Sequence, residues 1–151
     1  MNFILNNSSY GLIKTNLGEK MKFVKWVYRI AGIYGLLVLF PQYFLETQNG
    51  IDYPPPINHP EYYYGFIGVA LAWQFVLLLI STDPIKYRLL MPISVLEKFS
   101  YSFAVIILYF QDKIFIPVLA VGIIDLLLGI LFIISFIKLE NKLAGTLNER
   151  V

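Results

Sequence analysis

Residues 114–137 read IFIPVLAVGIIDLLLGILFIISFI, a run of 24 residues in which Asp125 carries the only charge. A helix rises about 1.5 Å per residue and the hydrocarbon core of a bilayer is about 30 Å thick, so this run is long enough to cross a membrane. A central aspartate costs about 2.5–3.5 kcal/mol on insertion, whereas each Leu, Ile, Val or Phe returns about 0.3–0.6 kcal/mol. Because 18 residues of the run are of those four types, it is predicted to insert despite its acid.

Three further segments have the length and composition of membrane spans, at residues 24–45, 62–80 and 89–110. Hydrophobic residues make up 58% of the chain and charged residues 15%, and the mean hydropathy is +0.66. These values indicate lipid rather than water as the solvent of most of the chain. The predicted fold class is therefore all-α, a polytopic membrane protein whose residues 22–139 form a transmembrane four-helix bundle.

Prolines and capping residues indicate where the helices begin. Pro60 is expected at the first position of the second span, with His59 or Asn58 as its cap, and Asp83 is expected to cap the turn that leads to the third span. Pro92 lies inside the third helical pattern, where it predicts a bend. The proline-rich connector at residues 46–60 is predicted to be ordered to extended.

The basic residues predict how the chain is threaded, because Lys and Arg accumulate on the cytoplasmic side of membranes. Eleven of the twelve lie at or near span ends on the side of the two chain termini, and residues 46–61 contain none. Both termini are thus predicted to be cytoplasmic, in a multi-pass protein of the inner (plasma) membrane. Residues 140–151 are expected to form a cytoplasmic tail. Residues 1–21 are expected to be either another tail or a segment upstream of a true start at Met21.

Small residues mark the faces on which the helices are predicted to pack. Gly122, Asp125 and Gly129 stand at i, i+3 and i+7, on one face of the fourth span. Since small residues let a neighbouring helix approach closely, Asp125 is predicted to point into the bundle. Gly32 and Gly35 are predicted to form a similar packing seam on the first span.

The third span offers a partner for the buried acid. Lys98 and Asp125 differ in height by roughly 8 Å along ideal helices, a gap that a lysine side chain and a modest tilt can bridge. A cluster of Lys98 with Asp125, with or without Glu97, is therefore the central hypothesis, and Tyr101 and Gln74 are alternative hydrogen-bonding partners. A structural clamp, proton or ion handling and ligand binding all remain open for the acid, as does a simple surface pair for the Lys98 and Glu97 side chains.

His59 and Glu61, together with Asp52 and Glu46, are candidates for an external cation site, although His59 is also expected simply to cap a helix. A protein metal centre is not expected, because the chain has no cysteine and a single histidine. No cofactor is expected, and no phosphate loop, HExxH or GxSxG motif occurs. Nucleic acid is excluded as a partner because the basic residues cluster at membrane edges.

Three stretches carry a resemblance to known proteins: HPEYYYGFIGVALAWQFVLLLISTDPIKYR at 59–88, EKFSY at 97–101 and GIIDLLLG at 122–129. Residues 21–139 resemble an uncharacterised family of small bacterial proteins with four transmembrane helices, and their length and glycine-bearing spans are similar to those of DoxX-like proteins. The resemblance implies a four-helix fold and no activity. Four-helix enzymes that act on sterols use a histidine within their spans, whereas His59 lies outside them.

Three functions follow as alternatives. The first is a small non-enzymatic bundle with a buried polar network, which associates with itself or joins a larger membrane complex. The second is a proton-coupled carrier or channel that uses Asp125 as the titrating group. The third is a membrane enzyme or binding protein for a lipophilic molecule such as a quinone or lipid. The lipid bilayer is the one partner common to all three.

Overall fold

The computed structural model describes the backbone of residues 7–148 and the side chains of residues 21–145. That part of the chain is helical, with no strand. Its elements are α1 (Asn7–Leu39), a 3-10 helix (Phe40–Phe44), α2 (Glu46–Asp52), α3 (Pro60–Thr82), α4 (Leu90–Phe110) and α5 (Ile116–Asn148). The backbone of residues 1–6 and the side chains of residues 1–20 lie outside the described part of the chain. The two alternatives expected for residues 1–21 therefore stay predictions.

Four helices are long and apolar enough to cross a membrane, over Met21–Phe44, Pro60–Thr82, Leu90–Phe110 and Ile116–Gly145. The predicted all-α fold with four helices long and apolar enough to span a membrane is thus confirmed, and three of these helices lie within about three residues of the predicted span boundaries. The last helix continues well past the predicted end of its span at residue 137. Its extension carries Leu, Glu, Lys and Ala, which favour helix once the apolar run has ended.

The structure differs from the sequence predictions at two connections. The first half of the connector at residues 46–60 is the helix α2 and not an extended segment. Pro92 is the third residue of α4, where a backbone N–H has no helical acceptor, so this proline requires no bend. His59 does occupy the cap position of α3, although its side chain makes no capping hydrogen bond. Asp83 caps the following turn through Oδ1, which accepts a hydrogen bond of 3.1 Å from the amide of Lys86.

The spans form two closely packed pairs. α1 packs mainly against α3, and α4 mainly against α5, while α1 also contacts α5 and joins the pairs. The contact between α3 and α4 is much the smallest of these. The bundle is therefore tight on three sides and loosely closed along the seam between α3 and α4.

Glycines lie where the helices approach most closely. A Cβ added at Gly122 would lie 2.6 Å from Val105 Cγ1, and one added at Gly129 would lie 2.9 Å from the Phe99 ring, both across the contact between α4 and α5. A Cβ at Gly32 would lie 3.1 Å from a backbone oxygen of α3. These distances are shorter than ordinary carbon contacts, so each of the three approaches depends on a missing side chain.

The half of the bundle nearest the start of the first span and the end of the last, here called the terminal half, contains the apolar core. Tyr28 stacks on Phe132 with ring centroids 4.3 Å apart, and its hydroxyl lies 3.2 Å from Ser94 Oγ. The buried apolar cluster around them consists of Val24, Tyr28, Ala31, Leu77, Ile80, Met91, Phe132 and Leu139. The polar site lies in the other half of the bundle, which is next to α2 and is here called the α2 half.

Candidate functional site

The α2 half of the bundle encloses a cavity of about 360 Å³. All four spans and α2 contribute to its lining. Along α5 the lining runs from Pro117 to Asp125, eight residues apart, which makes the cavity about 12 Å deep along the helix axis. It therefore extends from the α2 end of the bundle to the middle of the spans, where the packed core of the terminal half begins.

The floor of the cavity is an ion-pair cluster. Lys98 Nζ lies 3.1 Å from Asp125 Oδ2 and 3.5 Å from Glu97 Oε1, and only 6% of the lysine side chain and 12% of the aspartate side chain are exposed. The close approach at Gly129, where a Cβ would lie 3.4 Å from Lys98 Cβ, brings α4 near enough to α5 for the side chains to meet. The structure thus brings together three of the polar residues singled out in the sequence, whose role stays a prediction.

Gln74 forms a second part of the floor, but it does not bind Asp125. Its Nε2 donates a hydrogen bond of 2.9 Å to the carbonyl of Ala70, one turn earlier in α3. Its Oε1 is buried and has no hydrogen-bonding partner among the described residues. Gly35 of α1 makes room for this amide, because a Cβ there would overlap it. The Gln74 amide is therefore held in place, with one of its two N–H donors used and its acceptor oxygen unpaired.

Tyr101, the other alternative partner of the acid, lies in the cavity wall without a hydrogen bond to Asp125. Its ring stacks on Phe66 of α3 with centroids 6.0 Å apart. A groove on the lipid-facing side of the seam between α3 and α4 lies directly outside this pair, between Trp73 and Leu96. Cavity and groove share four lining residues, Phe66, Ala70, Glu97 and Tyr101. The side chains of these four residues thus lie between the cavity and the outer surface of the bundle.

A hydrogen-bonded group at the mouth of the cavity connects α2 to the first and second spans. Asn49 Nδ2 lies 2.8 Å from both Gln42 Oε1 and the Tyr63 hydroxyl, and that hydroxyl donates a hydrogen bond of 2.7 Å to the Gln42 carbonyl. All three residues line the cavity. Asn49 was not predicted, because a single asparagine in a polar connector carries no periodic signal. The aromatic walls at Tyr34 and Tyr53 were not predicted either.

The predicted external cation site is only partly assembled. His59 Nδ1 lies 3.0 Å from Glu61 Oε1, with 63% and 64% of the two side chains exposed. Glu46 instead accepts a hydrogen bond from the Tyr64 hydroxyl, and Asp52 accepts one from Gln48. Among the described residues no three His, Cys, Asp or Glu side chains come together as metal ligands would. The four predicted residues thus form one exposed pair and two separate contacts.

The arrangement of the cavity can hold a small molecule and give it directed polar contacts at one end. No protein-family model, curated protein or solved structure matches the chain. The resemblance to DoxX-like proteins therefore stays a prediction, and the chemistry of the cavity carries the functional argument.

Proposed function

We propose that the protein is a multi-pass membrane binding protein, whose cavity takes a small lipophilic molecule with one polar end. The observation that carries this proposal is the pairing of a cavity of about 360 Å³ with a polar floor near the middle of the spans. Small-molecule sites are concave and mostly apolar, with a few converging polar groups, and have volumes of about 300–1,000 Å³. The cavity fits that description.

Access from the bilayer supports a lipophilic ligand over a water-soluble one. The contact between α3 and α4 is the smallest among the adjacent spans, and a lipid-facing groove lies along it. The groove is bordered by exposed apolar side chains, including Val69 and Leu96, and meets the cavity at the stacked pair of Phe66 and Tyr101. A molecule dissolved in the acyl chains would reach the floor by displacing these two rings.

We place the mouth of the cavity on the outer side of the membrane, with both termini in the cytoplasm, on the strength of the basic residues near the terminal half. Because the chain has no cysteine, single cysteines can test this directly. A cysteine at Asn58 should react with an impermeant maleimide in intact cells, and one at Asn141 should react only after the membrane is opened. Equal labelling of both in intact cells would contradict the orientation.

The binding function is tested by native mass spectrometry of the full-length protein released from membrane nanodiscs. The wild type should carry a co-purifying small molecule or lipid. Val121→Trp places a large ring in the cavity wall one turn from the floor and should remove that molecule. Leu37→Trp, on a residue of α1 that is 71% exposed to the lipid side, is the matched control and should leave it bound. Equal occupancy in both variants would refute the proposal.

A proton-coupled carrier is a second candidate, favoured by the position of the cluster. The cavity ends at two carboxyl groups in the middle of the spans, and the packed terminal half closes the route beyond them. A carrier would open that half in a second state. Proteoliposomes should then show ligand-driven proton uptake that Asp125→Asn abolishes, whereas a binding protein should retain ligand and move no protons. Association with itself or with a larger complex stays a prediction.

A further inference from the structure

The polar floor carries more acceptors and more negative charge than it uses. Of the residues that line the cavity, Glu97, Lys98 and Asp125 are the ones with ionisable groups that are charged near neutral pH in water. Lys98 Nζ is shared between the two carboxyl groups, at 3.5 Å and 3.1 Å. Two carboxylates and one ammonium sum to a net charge of −1. In apolar surroundings that charge must be balanced, either by a proton on a carboxyl group or by a bound cation.

The unpaired atoms of the floor point to the same partner. Glu97 Oε2 and Gln74 Oε1 are both buried and have no hydrogen-bonding partner among the described residues, and both residues line the cavity. The identity of the Gln74 oxygen follows from its other atom, because only the amide nitrogen can donate to the Ala70 carbonyl. The Gln74 oxygen can only accept a hydrogen bond, and Glu97 Oε2 accepts one when its carboxyl group is ionised. A buried acceptor left unpaired is costly, so the floor favours a ligand that brings hydrogen-bond donors.

These properties separate classes of lipophilic ligand. A quinone or ester offers only acceptors and cannot pair with the Gln74 oxygen or an ionised Glu97. A fatty acid carboxylate adds a negative charge to a floor whose ionised groups already sum to −1. A primary or secondary ammonium group brings a positive charge and at least two N–H donors. Lys98 does not repel it strongly, because its own charge is held by two carboxyl oxygens.

The walls of the cavity suit the remainder of such a molecule. Tyr34, Tyr63, Phe66 and Tyr101 surround the space above the floor with aromatic rings. Aromatic faces attract cations and pack against apolar groups, so they accommodate an ammonium on its way in and an apolar body once it is bound. The Gln74 amide packs against Gly35 and donates to the Ala70 carbonyl, so its acceptor oxygen is positioned before the ligand arrives.

We propose that the cavity binds lipophilic amines, with the ammonium group between Gln74 and Glu97 and the apolar body against the aromatic walls. This inference rests on the proposed binding function and specifies the class of its ligand. The ammonium supplies the charge and the donors that the floor lacks, and the bilayer supplies the amine through the seam between α3 and α4. A quaternary ammonium, which has no N–H, is a weaker ligand than a primary amine of the same size.

The test compares three probes of one shape on the full-length protein in nanodiscs: 4-phenylbutylamine, 4-phenylbutanol and 4-phenylbutyrate. Isothermal titration, corrected with protein-free nanodiscs, should show the amine binding at least about tenfold more tightly than the alcohol, and the carboxylate binding least. Glu97→Gln should weaken the amine by about tenfold and leave the alcohol unchanged. Glu61→Gln removes the same charge from an exposed site beyond the cavity and is the matched control.

The outcomes distinguish this inference from the binding function beneath it. If the alcohol or the carboxylate binds as tightly as the amine, and Val121→Trp blocks it, the cavity is a binding site but not for amines. If no probe binds and the wild type carries no molecule from the membrane, both proposals fail. Should Glu97→Gln fail to fold, the order of the three probes on the wild type still decides, as does Gln74→Leu, which should weaken the amine more than the alcohol.

Discussion

Lys98 is the single cation between two carboxyl groups in the floor of the cavity, and this makes the effect of neutralising Asp125 depend on whether the lysine is present. At an effective dielectric constant of about 20, two unit charges 3.1 Å apart attract by about 5 kcal/mol. Desolvation offsets much of that attraction while the pair is intact, but loss of one buried partner costs about 3–5 kcal/mol. Lys98→Met leaves two carboxyl groups facing each other and is expected to destabilise the fold by that amount.

Asp125→Asn is expected to be milder, costing about 1–2 kcal/mol. The asparagine oxygen still accepts a hydrogen bond from Lys98, whose charge remains paired with Glu97 at 3.5 Å. In the Lys98→Met background the sign should reverse, because Asp125→Asn then removes one of two like charges. The double variant should therefore be more stable than Lys98→Met alone. The coupling is then larger than the cost of Asp125→Asn by itself, at about 2–3 kcal/mol.

The measurement is equilibrium unfolding of the full-length protein in dodecyl maltoside with increasing SDS, followed by tryptophan fluorescence and circular dichroism. Lys113→Met, in the exposed turn between α4 and α5, is the control and should change the free energy of unfolding by less than about 0.5 kcal/mol. If Asp125→Asn destabilises both backgrounds equally, the two side chains do not interact and the described floor is wrong.

The close contacts and turns of the fold give further predictions. Gly122→Ala should cost about 1–3 kcal/mol, because its Cβ would lie 2.6 Å from Val105, and Val105→Ala should recover most of the loss in the same unfolding assay. Gly145→Ala, with no atom within 4 Å of the added Cβ, should instead stabilise the last helix by up to about 1 kcal/mol. If Gly145→Ala lowers the stability as Gly122→Ala does, the contact with Val105 does not explain the cost at Gly122. Asp112 has a φ of 55° in the turn after α4, so Asp112→Gly should stabilise the protein by about 1 kcal/mol, measured as a raised SDS midpoint.

The spans and the position of the ion pair were predictable because the bilayer limits what a sequence can do. A span must be about 20 apolar residues long, and helical rise then assigns a height to every residue within it. The sequence therefore predicts Lys98 and Asp125 as an ion pair, in which the long lysine side chain bridges the difference in height. The structure brings their polar atoms to 3.1 Å.

The cavity was not predictable, because it is the space that remains between the helices after their side chains have packed. The sequence does not show whether Gln74 bonds to Asp125 or to the Ala70 carbonyl, because the choice depends on the rotamer of the glutamine side chain. The helix α2 was not predictable either, because ETQNGID has no apolar period. The hydrogen bonds of Asn49 depend on the tertiary fold. Patterns that repeat along one helix, and a charged pair whose heights the spans fix, were predictable. Hydrogen bonds from connectors and the packing that leaves the cavity were not.

The separation of the packed core from the cavity has a consequence for how this protein can diverge. The buried apolar cluster of the terminal half and the residues that line the cavity have no member in common. Mutations that reshape the walls, at Tyr34 or Phe66 for example, leave the main source of stability untouched. A lineage carrying this fold can therefore change the molecule it accepts by small steps while its bundle stays folded throughout.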